Sequence, residues 1–143
     1  MGRKNFSINY GEIPPRVDFE HAFAGSSDGK SMSGVSVYCV DSILRNNQLD
    51  HLSILHADTQ GAELDVLLGA SASLKNQRID WIFLSTHSNE LHRKCLSHLE
   101  SYHYKIVSDA DLLESFSFDG LIVACRKKIA PEKHLSISLR KPN

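Results

Sequence analysis

Apolar and polar positions change rhythm several times along the chain, and each change marks an element. From Val17 to Ala24 the letters VDFEHAFA alternate, with Val17, Phe19 and Phe23 on one side and Asp18 and Glu20 on the other, the period of a strand. The Gly- and Ser-rich GSSDGKSMSG then predicts a loop, and VSVYCV a second strand-type run bounded by Asp41. Asp41 and Ser42 can cap a short helix to about Gln48, with Ile43 and Leu44 turned inward. Leu52–Ala57 predicts a strand, Asp58–Gly61 a turn, and Ala62–Lys75 a helix whose Leu64, Leu67, Leu68, Ala70 and Leu74 make an apolar face. Ile79–Ser85, IDWIFLS, reads as a strand covered on both faces. Asn89–Tyr102 predicts a helix with Leu91, Cys95, Leu96 and Leu99 along one side. Two last strands, YKIV and DGLIVACR, flank a polar loop with the short helical pattern ADLLESF.

Strands alternating with longer helices point to one α/β domain with a mostly parallel sheet, its final pair closing antiparallel at one edge. The domain is expected over residues 17–126, after an ill-defined segment 1–16 and before a basic, unpatterned tail 127–143 that reads as disordered. With 143 residues and 41% hydrophobic content the chain can bury a sizeable core. Sixteen basic residues against seventeen acidic ones give no electrostatic reason to expect nucleic acid or an anionic membrane as a partner. No apolar run approaches the ~20 residues of a membrane span, and MGRKNFS lacks the apolar core of a signal peptide. Cys39, Cys95 and Cys125 are odd in number and far apart, with core-type neighbours, which suggests buried, reduced thiols in a cytoplasmic protein.

Chemistry concentrates where apolar strands end. One strand runs into Asp58-Thr59-Gln60-Gly61-Ala62-Glu63, the next into Ser85-Thr86-His87-Ser88-Asn89-Glu90. In an open parallel sheet ligands bind outside the carboxyl ends of the strands. Neighbouring strands lie about 4.8 Å apart, so Asp58 and His87 can share one rim. An acid and an imidazole there suit proton transfer from a hydroxyl or the holding of a cation. Capping competes with this reading: it is the stronger explanation of Glu63 and Ser88, and balances the functional one for Asp58 and His87. The spacing of His87 and His92 makes a poor metal pair, and no metal ligands are assigned. His56 reads as a satisfied strand histidine, His98, His103 and His134 as surface residues, and Asp119-Gly120 as a turn.

The motif HADTQGAELDVLLGA, preceded by VDSIL and followed by FLSTHS, LHRKCLSHL and DGLIVA, resembles the C-terminal half of the FkbM-type methyltransferases. The resemblance covers roughly Val17 to Arg126, and its most specific piece is Asp58-x-Gln60-Gly61-x-Glu63; many members carry Glu where this chain has Ser85. It implies an incomplete class I methyltransferase domain, Rossmann-like, that uses S-adenosylmethionine to methylate a hydroxyl of a small molecule or sugar. His87 or Asp58 would accept the hydroxyl proton, and Gln60, Gly61, Glu63 and Thr86 would orient substrate or cofactor. Such enzymes hold the cofactor on a glycine-rich loop after the first strand, with an acid ending the second. No two glycines here stand at Gly-x-Gly spacing. The domain is therefore expected to start near the third strand, to hold the cofactor poorly alone, and to need a partner chain or self-association over an open sheet edge. Two alternatives stand beside it. One is a non-catalytic remnant or protein-interaction module of that fold. The other is a metal-dependent hydrolase, which requires Asp58, Glu63 and His87 to converge in space.

Overall fold

The computed structural model describes residues 2–12, 14, 17–132 and 137, so His134 and most of the tail lie outside the described residues. The segment expected to be ill defined contains a helix, α1, Gly2–Tyr10. Of the alternating run Val17–Ala24, only Phe23–Ala24 forms a strand, β1. β1 pairs parallel with β3, Ser36–Tyr38, which also pairs antiparallel with β2, Gly29–Lys30. Residues 17–22 alternate in type but find no strand partner, and a strand without a ladder has unpaired backbone groups. The order then runs α2 Val40–Asn46, β4 Leu52–Ala57, α3 Glu63–Leu68, α4 Ser71–Lys75, β5 Ile79–Thr86, α5 Asn89–Ser101, β6 Lys105–Ala110 and β7 Gly120–Cys125. Among the described residues no helix is long and apolar enough to cross a membrane.

The single helix expected over Ala62–Lys75 is two helices. Asp41, expected to cap its own helix, instead caps α4 across the fold: its carboxylate accepts the Ala72 amide at 2.8 Å, the Ser73 amide at 2.9 Å and the Ser73 hydroxyl at 2.5 Å. These are the amides left unpaired at a helix start, so a distant carboxylate stabilises a break that local propensity does not predict. The N-cap of α2 is Cys39, without a side-chain cap bond. ADLLESF forms turns rather than a helix. Lys127–Ile129 form a 3₁₀ turn, and Ala130 packs on the sheet, so the expected disorder does not begin at residue 127.

The larger sheet has the order β4-β5-β7-β6. β4 and β5 are parallel, while β7 runs antiparallel to both β5 and β6. This corrects the expected topology: the sheet is mixed, and the antiparallel strand lies inside it, with β6 at the edge. Topology decides the matter, because β6 leaves an opening beside β5 that β7 fills on its return.

β5 alternates rather than being buried on both faces. Ile79, Ile82, Leu84 and Thr86 are buried; Trp81, Phe83 and Ser85 are partly covered. The fully covered face meets Leu67, Leu74, Cys95, Leu99, Ile122 and Ala124 in the main core. On the other face Trp81 and Phe83 pack with Val107, Val123, Cys125 and Ala130. Cys39 is half-buried, Cys95 and Cys125 are buried, and all three thiols are free. Each fully buried Leu or Ile stabilises the fold by about 1.5–3 kcal/mol, and this core is what holds the ends of β4, β5 and β7 in one place.

Candidate functional site: a carboxylate–imidazole rim

Parallel pairing sets Ala57 of β4 opposite Leu84 of β5, so both strands discharge their next residues at one rim. β7 arrives from the opposite direction, with Gly120 opposite Thr86. Its first residues therefore begin where β5 ends, and Asp119 joins the same rim. The turn after β4 is left-handed at two consecutive residues, Gln60 (φ 55°) and Gly61 (φ 107°). Gly61 tolerates this freely, whereas at Gln60 the conformation costs roughly 1 kcal/mol.

The curl wraps backbone donors around Glu63. Its Oε1 accepts the Thr59 amide at 2.9 Å, the Thr59 hydroxyl at 3.0 Å and the Gly61 amide at 3.2 Å. The residue is 0% exposed. Burial pushes its carboxyl pKa up, but hydrogen bonds from the Gly61 and Thr59 amides outweigh it and hold the group below its ordinary range. Glu63 is thus a buried, ionised carboxylate. It was expected mainly as a favourable charge in a first turn, and it is more than that.

His87 Nδ1 lies 3.0 Å from Glu63 Oε1. An ionised carboxylate only accepts, so Nδ1 carries the proton. Nε2 faces Asp58 Oδ1 at 3.3 Å and Asp119 Oδ1 at 3.5 Å, yet it is buried without a hydrogen-bond partner. Glu63 Oε2 is buried and unpartnered as well. Asp58, Glu63 and His87 each bring one ligand-type atom within 4.8 Å of the others. The convergence that sequence spacing left open is present.

The remaining expected residues divide. Gln60 is exposed, and its amide reaches Asp58 Oδ1 at a long 3.5 Å. Gly61 presents its amide inward to Glu63. Thr86 is 0% exposed, with Oγ1 2.6 Å from His92 Nδ1. Ser88 is the N-cap of α5 and accepts the Leu91 amide at 3.1 Å. Histidines outside the rim also shift from expectation: His56 is exposed, and His98 is half-buried with its pKa lowered by burial.

Two residues were missed. His92, 2% exposed, bridges Thr86 and Asp109, with Nε2 2.7 Å from Asp109 Oδ1. The only sequence signal was its place among Leu91, Cys95 and Leu99 on the inner side of α5. Asp119 was read as a turn, and only the reversed direction of β7 brings it to His87.

A cleft of about 440 Å³ opens beside His87, lined by Gln60, Gly61, Leu64, Asp65 and Ser88 among others. Its size is that of a small-molecule site. It shares Leu64, Glu90 and Lys94 with a wider groove between α3 and α5.

No curated protein and no solved structure matches the chain. The methyltransferase FkbM domain matches residues 10–106, which span the β4 turn, Glu63 and His87. That is well over half of the chain, and with the rim residues of the expected motif drawn together, this protein belongs to the FkbM methyltransferase family.

Proposed function

We propose that the rim serves the acceptor side of an O-methyl transfer, taking a hydroxyl of a small molecule or sugar and removing its proton. The carrying observation is the approach of Asp58 to His87 Nε2, 3.3 Å, at the common end of two parallel strands. Glu63 fixes the tautomer, so the ring nitrogen facing Asp58 has a lone pair to accept a proton. The cleft alongside has room for the acceptor, with Leu64 and Leu91 as its apolar lining.

S-adenosylmethionine is the donor that the family implies, and the Rossmann-like class I fold its usual frame. The described residues fit it poorly. The one glycine in the turn after β4, Gly61, spends its amide on Glu63, and no pair at Gly-x-Gly spacing supplies another cradle. The roles of these residues therefore stop at the acceptor hydroxyl. Calorimetry with S-adenosylmethionine on the full chain, followed by labelled methyl transfer to a panel of sugars and polyols, tests the reading. Binding with transfer supports it; absence of binding sinks the enzymatic role for this polypeptide.

A second reading, an interaction module, has its own observation. β4 ends the sheet, pairs only with β5 among the described residues, and shows Ile54 56% exposed. An uncovered edge favours strand addition by a second chain. Light scattering that finds a dimer, lost on Ile54→Lys, supports this reading; a monomer at all concentrations counts against it.

A further inference from the structure

Two buried atoms at the rim lack partners, Glu63 Oε2 and His87 Nε2, and with Nδ1–H given to Glu63 both are acceptors. Two more carboxylates, Asp58 and Asp119, face the same ring nitrogen. Among the described residues no donor satisfies this arrangement, and a lone pair surrounded by carboxylates is electrostatically unfavourable unless a positive charge sits among them. We propose that Asp58 and His87 Nε2, with Asp119 on the open side, bind a divalent cation, and that Glu63 orients the imidazole from its other nitrogen.

Geometry supports the assignment. Ligands about 2.1 Å from one ion lie roughly 3.0–3.4 Å apart, between octahedral and tetrahedral arrangements. Asp58 Oδ1 stands 3.3 Å from Nε2 and Asp119 Oδ1 3.5 Å, close to that separation without rearrangement. Glu63 Oε1 holds the imidazole by its other nitrogen, the way carboxylates orient metal-binding histidines. The chain around Glu63 is tied by three hydrogen bonds, so the site is organised before any ion arrives. Oxygen ligands with one imidazole suit Mn²⁺ or Mg²⁺ better than a thiol-loving ion. Partly exposed Asp58 and Asp119, 45% and 39%, leave a coordination position open toward solvent.

The role of the ion rests on the O-methyl transfer reading: it would bind the acceptor hydroxyl and acidify it. His87 is then a ligand and not the base. The hydroxyl O–H bond breaks, its electron pair stays on oxygen, and the proton passes to the outer oxygen of Asp58.

The test reads binding alone, so it stands or falls apart from methyl transfer. Mn²⁺ is titrated into the chelator-stripped full chain and followed by electron paramagnetic resonance, with the thermal midpoint measured in parallel. One saturable Mn²⁺ per chain is expected, weakened 10- to 100-fold by Asp58→Asn at an unchanged apo midpoint. Broadening of the His87 Nε2 signal in nitrogen NMR by Mn²⁺ is the second readout and needs no variant. No saturable binding overturns the proposal, as does binding that Asp58→Asn leaves unaltered. So does an NMR signal showing His87 doubly protonated at neutral pH and indifferent to Mn²⁺, which would make a proton the missing charge.

Discussion

Two acid–imidazole assemblies stand side by side in this protein and behave as opposites. In one, His92 is 2% exposed and uses both ring nitrogens, toward Thr86 Oγ1 and Asp109 Oδ1. In the other, His87 is 17% exposed and uses only Nδ1, toward Glu63, while Nε2 faces two carboxylates at the rim. The residue types are nearly the same, and consecutive residues, Thr86 and His87, belong to different assemblies. What separates them is satisfaction. A buried polar chain whose members are all paired rigidifies the place where β5, α5, β6 and β7 meet. A group left with a free lone pair at an opening keeps its chemistry for a ligand. The first assembly holds the second in position.

The comparison breaks or sharpens in a definite order. The largest effect is expected at His87. In a methyl-transfer assay His87→Gln should lower turnover 10²–10⁴-fold, whether the ring serves as base or ligand, while the urea midpoint changes little. If turnover survives, the rim is not the reactive member of the pair. Next comes Gly120→Ala. A Cβ at that position would stand 2.5 Å from Thr86 Oγ1 and 2.8 Å from His92 Nδ1, so the side chain has no room. Overpacking and a strained buried hydrogen bond should cost about 2–3 kcal/mol in urea unfolding.

Thr86→Val keeps the shape and removes the hydroxyl, which leaves His92 Nδ1 without its partner. Unfolding experiments should show a loss of about 1–2 kcal/mol, with no matching fall in rate per folded molecule. A larger loss of rate than of stability would make Thr86 part of the reactive rim after all. A smaller signal is expected in acid. Because the pKa of Glu63 is lowered on folding, its charge contributes stability above its ordinary value of 4.5, and that contribution is lost as pH falls through the lower folded value. Stability curves of Glu63→Gln should therefore be flatter on the acid side than those of the native chain. Smallest of all, Asp58→Asn is expected to move stability by less than about 0.5 kcal/mol, since its carboxylate is 45% exposed.

Much of this site was legible from the pattern of the chain. The β4 strand has the bounds its apolar run predicts, and the polar hexapeptides that end β4 and β5 meet where a parallel pair must deliver them. The convergence of Asp58 and His87 follows from local reading plus one rule of topology. Glu63 was harder. Its place at the start of a helix is equally what a solvent-facing first-turn acid looks like, and nothing in the letters says that the turn curls back to bury it. The full burial of Thr86 was hidden for the same reason, since alternation assigns faces but not which face is sealed. The split between α3 and α4 was hidden because its cap, Asp41, is remote in sequence.

By itself the amino-acid order determined that an acid and an imidazole close two consecutive apolar strands, because hydrophobic periodicity is local and burial follows it. It also carried the family motif, whose residues are contiguous. Only the tertiary structure decided which histidine is spent on the fold and which stays open. That choice depends on β7 returning antiparallel between β5 and β6, which brings Gly120 against His92 and Asp119 beside His87. Strand order is set by how the whole core packs, and no short window of sequence contains it.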